Sequence, residues 1–270
     1  MQDRQHLPDV NHLSVIAAMI LLAYSFTAFI KFPTQTVSIQ LPGFLLRLEI
    51  NFITIVAVIV SVMAAAGEEW LISGDPQVGS HRHWPHWLLP AFSALIISVP
   101  LAALQVSSSW WAIFGLGGLL LIGILVAEYI SVDRSDTRYP IALTGLTAVA
   151  LALFLVLIIA VRGSGFRLYV LQLAIVPATA LVSIKALYLR LGNEWKIAWA
   201  AGITVVIAEI ATGLYYLPIT PLQFGLILTG LVYALFNLAG SLEEHQSPST
   251  IWIEPLLVTL AFSGLAVILR

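Results

Sequence analysis

Long apolar runs alternate with short polar connections along almost the whole chain. A run of about twenty apolar residues is what an α-helix needs to cross the hydrocarbon core of a bilayer. Windows of that length, bounded by charged residues or Pro/Gly breaks, predict nine helices. They lie near Leu13–Ile30, Ile50–Ala66, Trp87–Leu104, Trp110–Ile130, Ile141–Val161, Leu168–Tyr188, Ile197–Tyr216, Leu222–Gly240 and Ile251–Leu269. The sequence therefore predicts an all-α, polytopic transmembrane bundle of eight to nine helices.

The third predicted helix is the one that the sequence predicts least firmly to be continuous. It contains Pro90 and Pro100. Each proline removes a backbone donor and bends a helix, so a broken or re-entrant element is the alternative at this place. If a helix has to be withdrawn from the count, it is this one.

The connection between the first two predicted helices has a different period. Residues 36–41 read Thr-Val-Ser-Ile-Gln-Leu and are followed by Pro42 and Gly43. Strict alternation of polar and apolar residues before a turn is typical of a half-buried strand. We expect a short strand or hairpin on the membrane surface, and an extended interfacial loop fits the same pattern. The connections are too short to form a core, which predicts one integral membrane domain over residues 1–270 and no soluble domain.

Composition supports a lipid environment and excludes several kinds of chemistry. Of all residues, 60% are hydrophobic and 10% are charged, and the mean hydropathy is +0.97. The net charge of -2 gives no basis for a nucleic-acid partner. The absence of cysteine excludes disulfides and thiolate metal ligands.

We expect a multi-pass protein of the cell membrane, if the source is prokaryotic. The N-terminus is predicted to be cytoplasmic, since Lys and Arg are slightly more frequent on its side.

Glu209 is the most informative single residue, because it lies well inside the seventh predicted helix. An ionisable group at that depth is costly unless it is neutralised, paired or hydrated. Gly202, Val206 and Gly213 share its helical face, and small residues mark surfaces where helices approach closely. We therefore expect Glu209 to point into the bundle. It is either a proton- or cation-binding carboxylate in a cavity or a protonated packing element.

Three more polar residues are predicted to lie near the depth of Glu209. Asn51 and Thr54 begin a polar stripe on the second helix, and Gln223 lies at the start of the eighth. Such a stripe lines either a water-filled cavity or an interhelical hydrogen-bond seam. Together with Glu209, these residues form the candidate intramembrane polar site.

A second candidate site is an interfacial ion pair. Lys185, Glu128 and Glu254 all come near the same ends of their predicted helices, and a rise of 1.5 Å per residue puts them at similar depth. Lys185 can pair with one of the two carboxylates, or it can extend to the headgroups.

The histidines give no recognisable metal signature. His81, His83 and His86 follow each other closely, but Arg82 lies among them and the spacing matches no established ligand pattern. We expect a solvated loop without a structural metal. No catalytic residue is assigned, and any cofactor is unknown. Because the sequence places no histidine inside a helix, intramembrane haem ligation is not expected.

Three classes of function remain. The first is handling of a small solute, proton or cation across the membrane, which the polar residues favour. The second is a non-catalytic subunit or scaffold that packs against partner membrane proteins through small-residue seams. The third is a membrane-embedded enzyme acting on a lipid-like substrate, which is disfavoured because the acid and base groups are predicted to lie apart.

Overall fold

The structure, a computed structural model, describes residues 8–30, 33, 35–41, 44–73, 84–192, 194–245 and 251–269. Over these residues the chain forms nine helices and one hairpin. They are α1 Val10–Phe29, β1 Gln35–Leu41, β2 Phe44–Ile50, α2 Phe52–Ser73, α3 Trp84–Ala103, α4 Ser108–Val132, α5 Tyr139–Gly163, α6 Leu168–Arg190, α7 Ile197–Tyr215, α8 Pro221–Glu243 and α9 Ile253–Ile268. Eight of the helices are long and apolar enough to cross a membrane. The predicted fold class is confirmed.

The third helix is continuous, contrary to the doubt about its prolines. It begins at Trp84, three residues before the predicted start, and runs through Pro90 and Pro100. Side chains of its neighbours hold it in place: the hydroxyl of Ser61 donates to the Ala91 carbonyl at 2.7 Å, and the hydroxyl of Tyr24 donates to the Ala94 carbonyl. The short helix is instead α9, with 16 residues.

The alternating segment forms an antiparallel hairpin. β1 pairs with β2 in a register that places Ser38 opposite Arg47 and Leu41 opposite Phe44. Thr36, Ser38 and Gln40 are exposed. The predicted strand is therefore present, and its position on the membrane surface stays a prediction.

The chain divides into two compact units, Met1–Ala142 and Leu143–Arg270. In the first, α3 is the most buried of the spanning helices. Its residues Ala94, Ile97 and Leu101 belong to an apolar core with side chains of α1, α2 and α4. Unit 1 is thus organised around α3.

In the second unit α8 is the most buried spanning helix. Its N-terminus is fixed by a capping box, in which Thr220 accepts from the backbone of Gln223 and Gln223 accepts from the backbone of Thr220. Proline at the first helical position supports the same start. Buried glycines allow neighbouring helices to approach α8 closely. This places α8 at the centre of unit 2.

Candidate functional site

An acid–base pair lies inside unit 1, between α3 and α4. Nδ1 of His86 is 2.9 Å from Oε2 of Glu128. His86 is 3% exposed and Glu128 is 0% exposed. When Glu128 is ionised, the imidazole N–H donates to its carboxylate. The pair is therefore a buried proton donor and acceptor within the segments that are long and apolar enough to span a membrane.

Side chains around the pair are polar as well. The hydroxyl of Ser131, one turn after Glu128, donates to the Glu128 backbone carbonyl at 2.8 Å and lies 3.4 Å from the carboxylate. The indole of Trp87, the residue after His86, donates to Glu69 of α2 at 3.0 Å. Glu68, the residue before it, is fully buried. The ends of α2, α3 and α4 thus bring Glu68, His86 and Glu128 to one end of the unit.

This cluster is not among the sites predicted from the sequence. The prediction that His86 lies in a loop and that no histidine lies inside a helix is wrong, because His86 belongs to α3 and His12 belongs to α1. The reason is the start of α3, where Pro85 and Trp84 already belong to the helix. Proline suits the first turn of a helix because its missing N–H has no intrahelical partner there. Reading Pro85 as a helix start would have placed His86 inside α3.

Glu209 does not point into unit 2. The inward face of α7 is formed by Ala200, Ile203, Thr204, Ile207 and Ala211, whereas Gly202, Val206, Glu209 and Gly213 are all exposed. The predicted orientation of Glu209 is therefore wrong. Its neighbour Thr212 does face inward, where its hydroxyl accepts from the Gln172 amide of α6 at 2.9 Å.

The other members of the candidate polar site lie at helix starts. The side-chain oxygen of Asn51 accepts from the backbone N–H and from the hydroxyl of Thr54, each at 2.8 Å, just before α2. Gln223 belongs to the capping box of α8, and its amide also donates to the Ala266 carbonyl at 3.0 Å. These contacts give Asn51 and Gln223 capping roles. Their contribution to a solute site stays a prediction.

The two carboxylates of the candidate ion pair have described contacts with other side chains. Oε2 of Glu128 contacts His86, and the Tyr233 hydroxyl donates to Glu254 at 2.5 Å. Lys185 is 1% exposed, so its side chain is buried and does not reach outward from the bundle. Its ammonium lies 5.8 Å from the centre of the Tyr188 ring. A pair of Lys185 with either carboxylate remains a prediction.

A polar network ties α6 to α8 at the end of unit 2. The guanidinium of Arg190 donates to both carboxylate oxygens of Glu244, at 2.8 and 3.0 Å, and to the Asn237 carbonyl at 2.9 Å. Asn237 in turn donates to the Tyr233 hydroxyl at 3.3 Å. We interpret the hydrogen bonds of Arg190 as structural, because they hold the end of α6 against α8.

Lys196 lies just before α7, and hydrogen bonds to Glu243 and Glu194 raise the pKa of its ammonium group.

Among the residues that the structure describes, no group of three or more His, Cys, Asp or Glu side chains is arranged to hold a metal ion. The expectation of a loop without a structural metal concerns residues that include His81, Arg82 and His83. These three residues lie outside the described part of the chain.

A family model described as "Protein of unknown function (DUF5656)" matches residues 32–269. This is most of the chain, which therefore belongs to that family. No curated protein matches the sequence. No solved structure matches it either.

Proposed function

We propose that this membrane protein handles protons or small cations and that the His86–Glu128 pair is its protonatable site. The observation that carries the proposal is the 2.9 Å contact between the two buried groups. Histidine is the side chain whose charge changes most readily near neutral pH. A carboxylate within hydrogen-bond distance can exchange a proton with it.

Stability alone does not account for such a pair. Removing two ionisable groups from water costs free energy that their mutual attraction only partly returns. In other proteins, replacing a buried ion pair by apolar residues of similar volume is often neutral or stabilising. Ionisable residues within membrane spans therefore favour a functional interpretation.

The opposite end of the same helices carries the open cavity of unit 1. There, an open cavity of about 610 Å³ lies between the ends of α1 and α3 and the starts of α2 and α4. Asn51, Gln105 and Trp110 are among the residues that line it. Unit 1 thus carries an open cavity at one end and a cluster of ionisable residues at the other.

Proton flux measured in reconstituted vesicles tests the proposal. A pH-sensitive dye inside the vesicles reports flux after an external pH step, with sodium or potassium present in parallel runs. We expect Glu128→Gln to abolish the flux, because glutamine keeps the size of the side chain and loses ionisation. Glu194→Gln, at an exposed carboxylate outside the helices, is the control and should retain it. Wild-type protein without flux under every condition, or a Glu128→Gln variant with full flux, would contradict the proposal.

A membrane subunit is the second candidate function, and the exposed Glu209 face of α7 supports it. An enzyme acting on a lipid-like substrate has less support. His86 and Glu128 are an acid–base couple, but both are buried and the open cavity lies at the other end of their helices.

A further inference from the structure

Glu209 has an unusual position for a carboxyl group. It lies twelve residues after the start of α7 and six before its end, in a helix long and apolar enough to span a membrane. At 1.5 Å per residue it is about 9 Å from the nearer end. The side chain is exposed, and it makes no hydrogen bond to any residue that the structure describes.

Lipid does not satisfy such a group. Acyl chains offer neither hydrogen-bond donors nor acceptors, so a carboxyl group at this depth is costly without a polar partner. That partner has to come at the same depth, against the face of α7 that carries Glu209. The surroundings allow a close approach, because a Cβ added at Gly202 or Gly213 would meet no atom within 4 Å.

We propose that this face of α7 is a dimer interface and that its occupant is α7 of a second copy of the chain. A protonated carboxyl group carries one donor and one acceptor, so two of them satisfy each other across a two-fold axis. A second copy inserted in the same orientation places its Glu209 at the required depth by symmetry. The exposed valine Val206, one turn earlier, then lies close to the same axis.

Cysteine cross-linking tests the geometry directly, because the natural chain contains no cysteine. Val206→Cys introduces one thiol on the proposed interface. Val176→Cys is the matched control: it replaces the same residue type at nearly the same exposure, 38% against 40%, and at similar depth in α6. Both variants keep Glu209. In dilute vesicles under oxidising conditions, we expect a covalent dimer from Val206→Cys and monomer from Val176→Cys. Equal cross-linking of the two variants would overturn the proposal.

Substitution of Glu209 tests the carboxyl pair. Glu209→Gln retains a donor and an acceptor and should dimerise like the wild type. Glu209→Leu should lower the association constant about tenfold, since interhelical hydrogen bonds are lost. Dimer fractions are measured in lipid by energy transfer between labelled copies. A wild-type protein that stays monomeric, or a folded Glu209→Leu variant that dimerises as strongly as the wild type, would overturn the proposal.

Discussion

At the scale of single residues, the main feature is that polar side chains are held by specific partners inside an apolar bundle. His86 and Glu128 contact each other. Ser61 and Tyr24 donate hydrogen bonds to backbone carbonyls of α3. The guanidinium of Arg190 donates to Glu244 and to the Asn237 carbonyl of α8. Removing one partner costs the desolvation of the buried polar group that is left behind, to the extent that no other polar group replaces the lost contact. Single substitutions at these residues should therefore cost more than their size alone suggests.

A double-mutant cycle on the buried pair tests this expectation. Glu128→Leu removes the carboxylate that His86 contacts, and His86→Leu removes the imidazole that Glu128 contacts; breaking a buried pair in this way should cost about 3–5 kcal/mol. The double variant should lose less than the sum of the two single losses. Thermal or denaturant unfolding in detergent provides the measurement. Strict additivity would show that the 2.9 Å contact contributes no coupling.

At the scale of elements, α8 depends on glycine at its closest approaches to other helices. A Cβ at position 230 would lie 2.6 Å from Cβ of Phe262 on α9. A Cβ at position 240 would lie 2.7 Å from Arg190 on α6. Cβ of Phe262 is attached directly to the backbone, so it moves only if α9 moves. Gly230 therefore determines how closely α9 packs against α8.

Gly230→Ala should destabilise unit 2 for this reason. Overpacking of this kind typically costs about 1–3 kcal/mol, and it should appear as a lower unfolding temperature in detergent. Gly264→Ala in α9 is the control, because a Cβ there meets nothing within 4 Å. Alanine favours the helix over glycine by about 1 kcal/mol, so the control should be neutral or stabilising. Equal losses in the two variants would refute the packing explanation.

At the scale of the whole molecule, the number of crossings depends on α9. Its 16 residues reach about 24 Å, less than the hydrocarbon thickness. It nevertheless runs antiparallel beside α8: Glu254 near its start contacts Tyr233 in the middle of α8, and Ala266 near its end contacts Gln223 at the start of α8. Because α9 reaches the start of α8, we expect it to complete a ninth crossing.

Single-cysteine labelling in cells or oriented vesicles tests this topology. Nine crossings with a cytoplasmic N-terminus place Ser164 and Leu269 outside and Ser135 inside. A membrane-impermeant maleimide should therefore label Ser164→Cys and Leu269→Cys and spare Ser135→Cys. If Leu269→Cys behaves like Ser135→Cys, α9 does not cross. If Ser135→Cys alone is labelled, the orientation is reversed.

The helical membrane class and the approximate helix bounds followed from the sequence alone, and the sequence offered a strand or hairpin as one of two readings of residues 36–41. Each depends on local properties: a helix needs a certain length of apolar residues, and β1 needs alternation before a turn. All nine described helices begin within three residues of their predicted starts. The start of α3 follows a local rule as well, because Pro85 in its first turn is a helix-start signal.

Only the tertiary structure decided which face of each helix is buried. In water, a buried face is recognised by its apolar residues, but in lipid both faces of a helix are apolar, so the pattern does not separate them. Glu209 with its glycines was therefore predicted to face inward, whereas α7 packs through Ala200, Ile203 and Ile207. The contact of His86 with Glu128 joins residues 42 positions apart. It exists because α3 packs against α4, which no local pattern encodes.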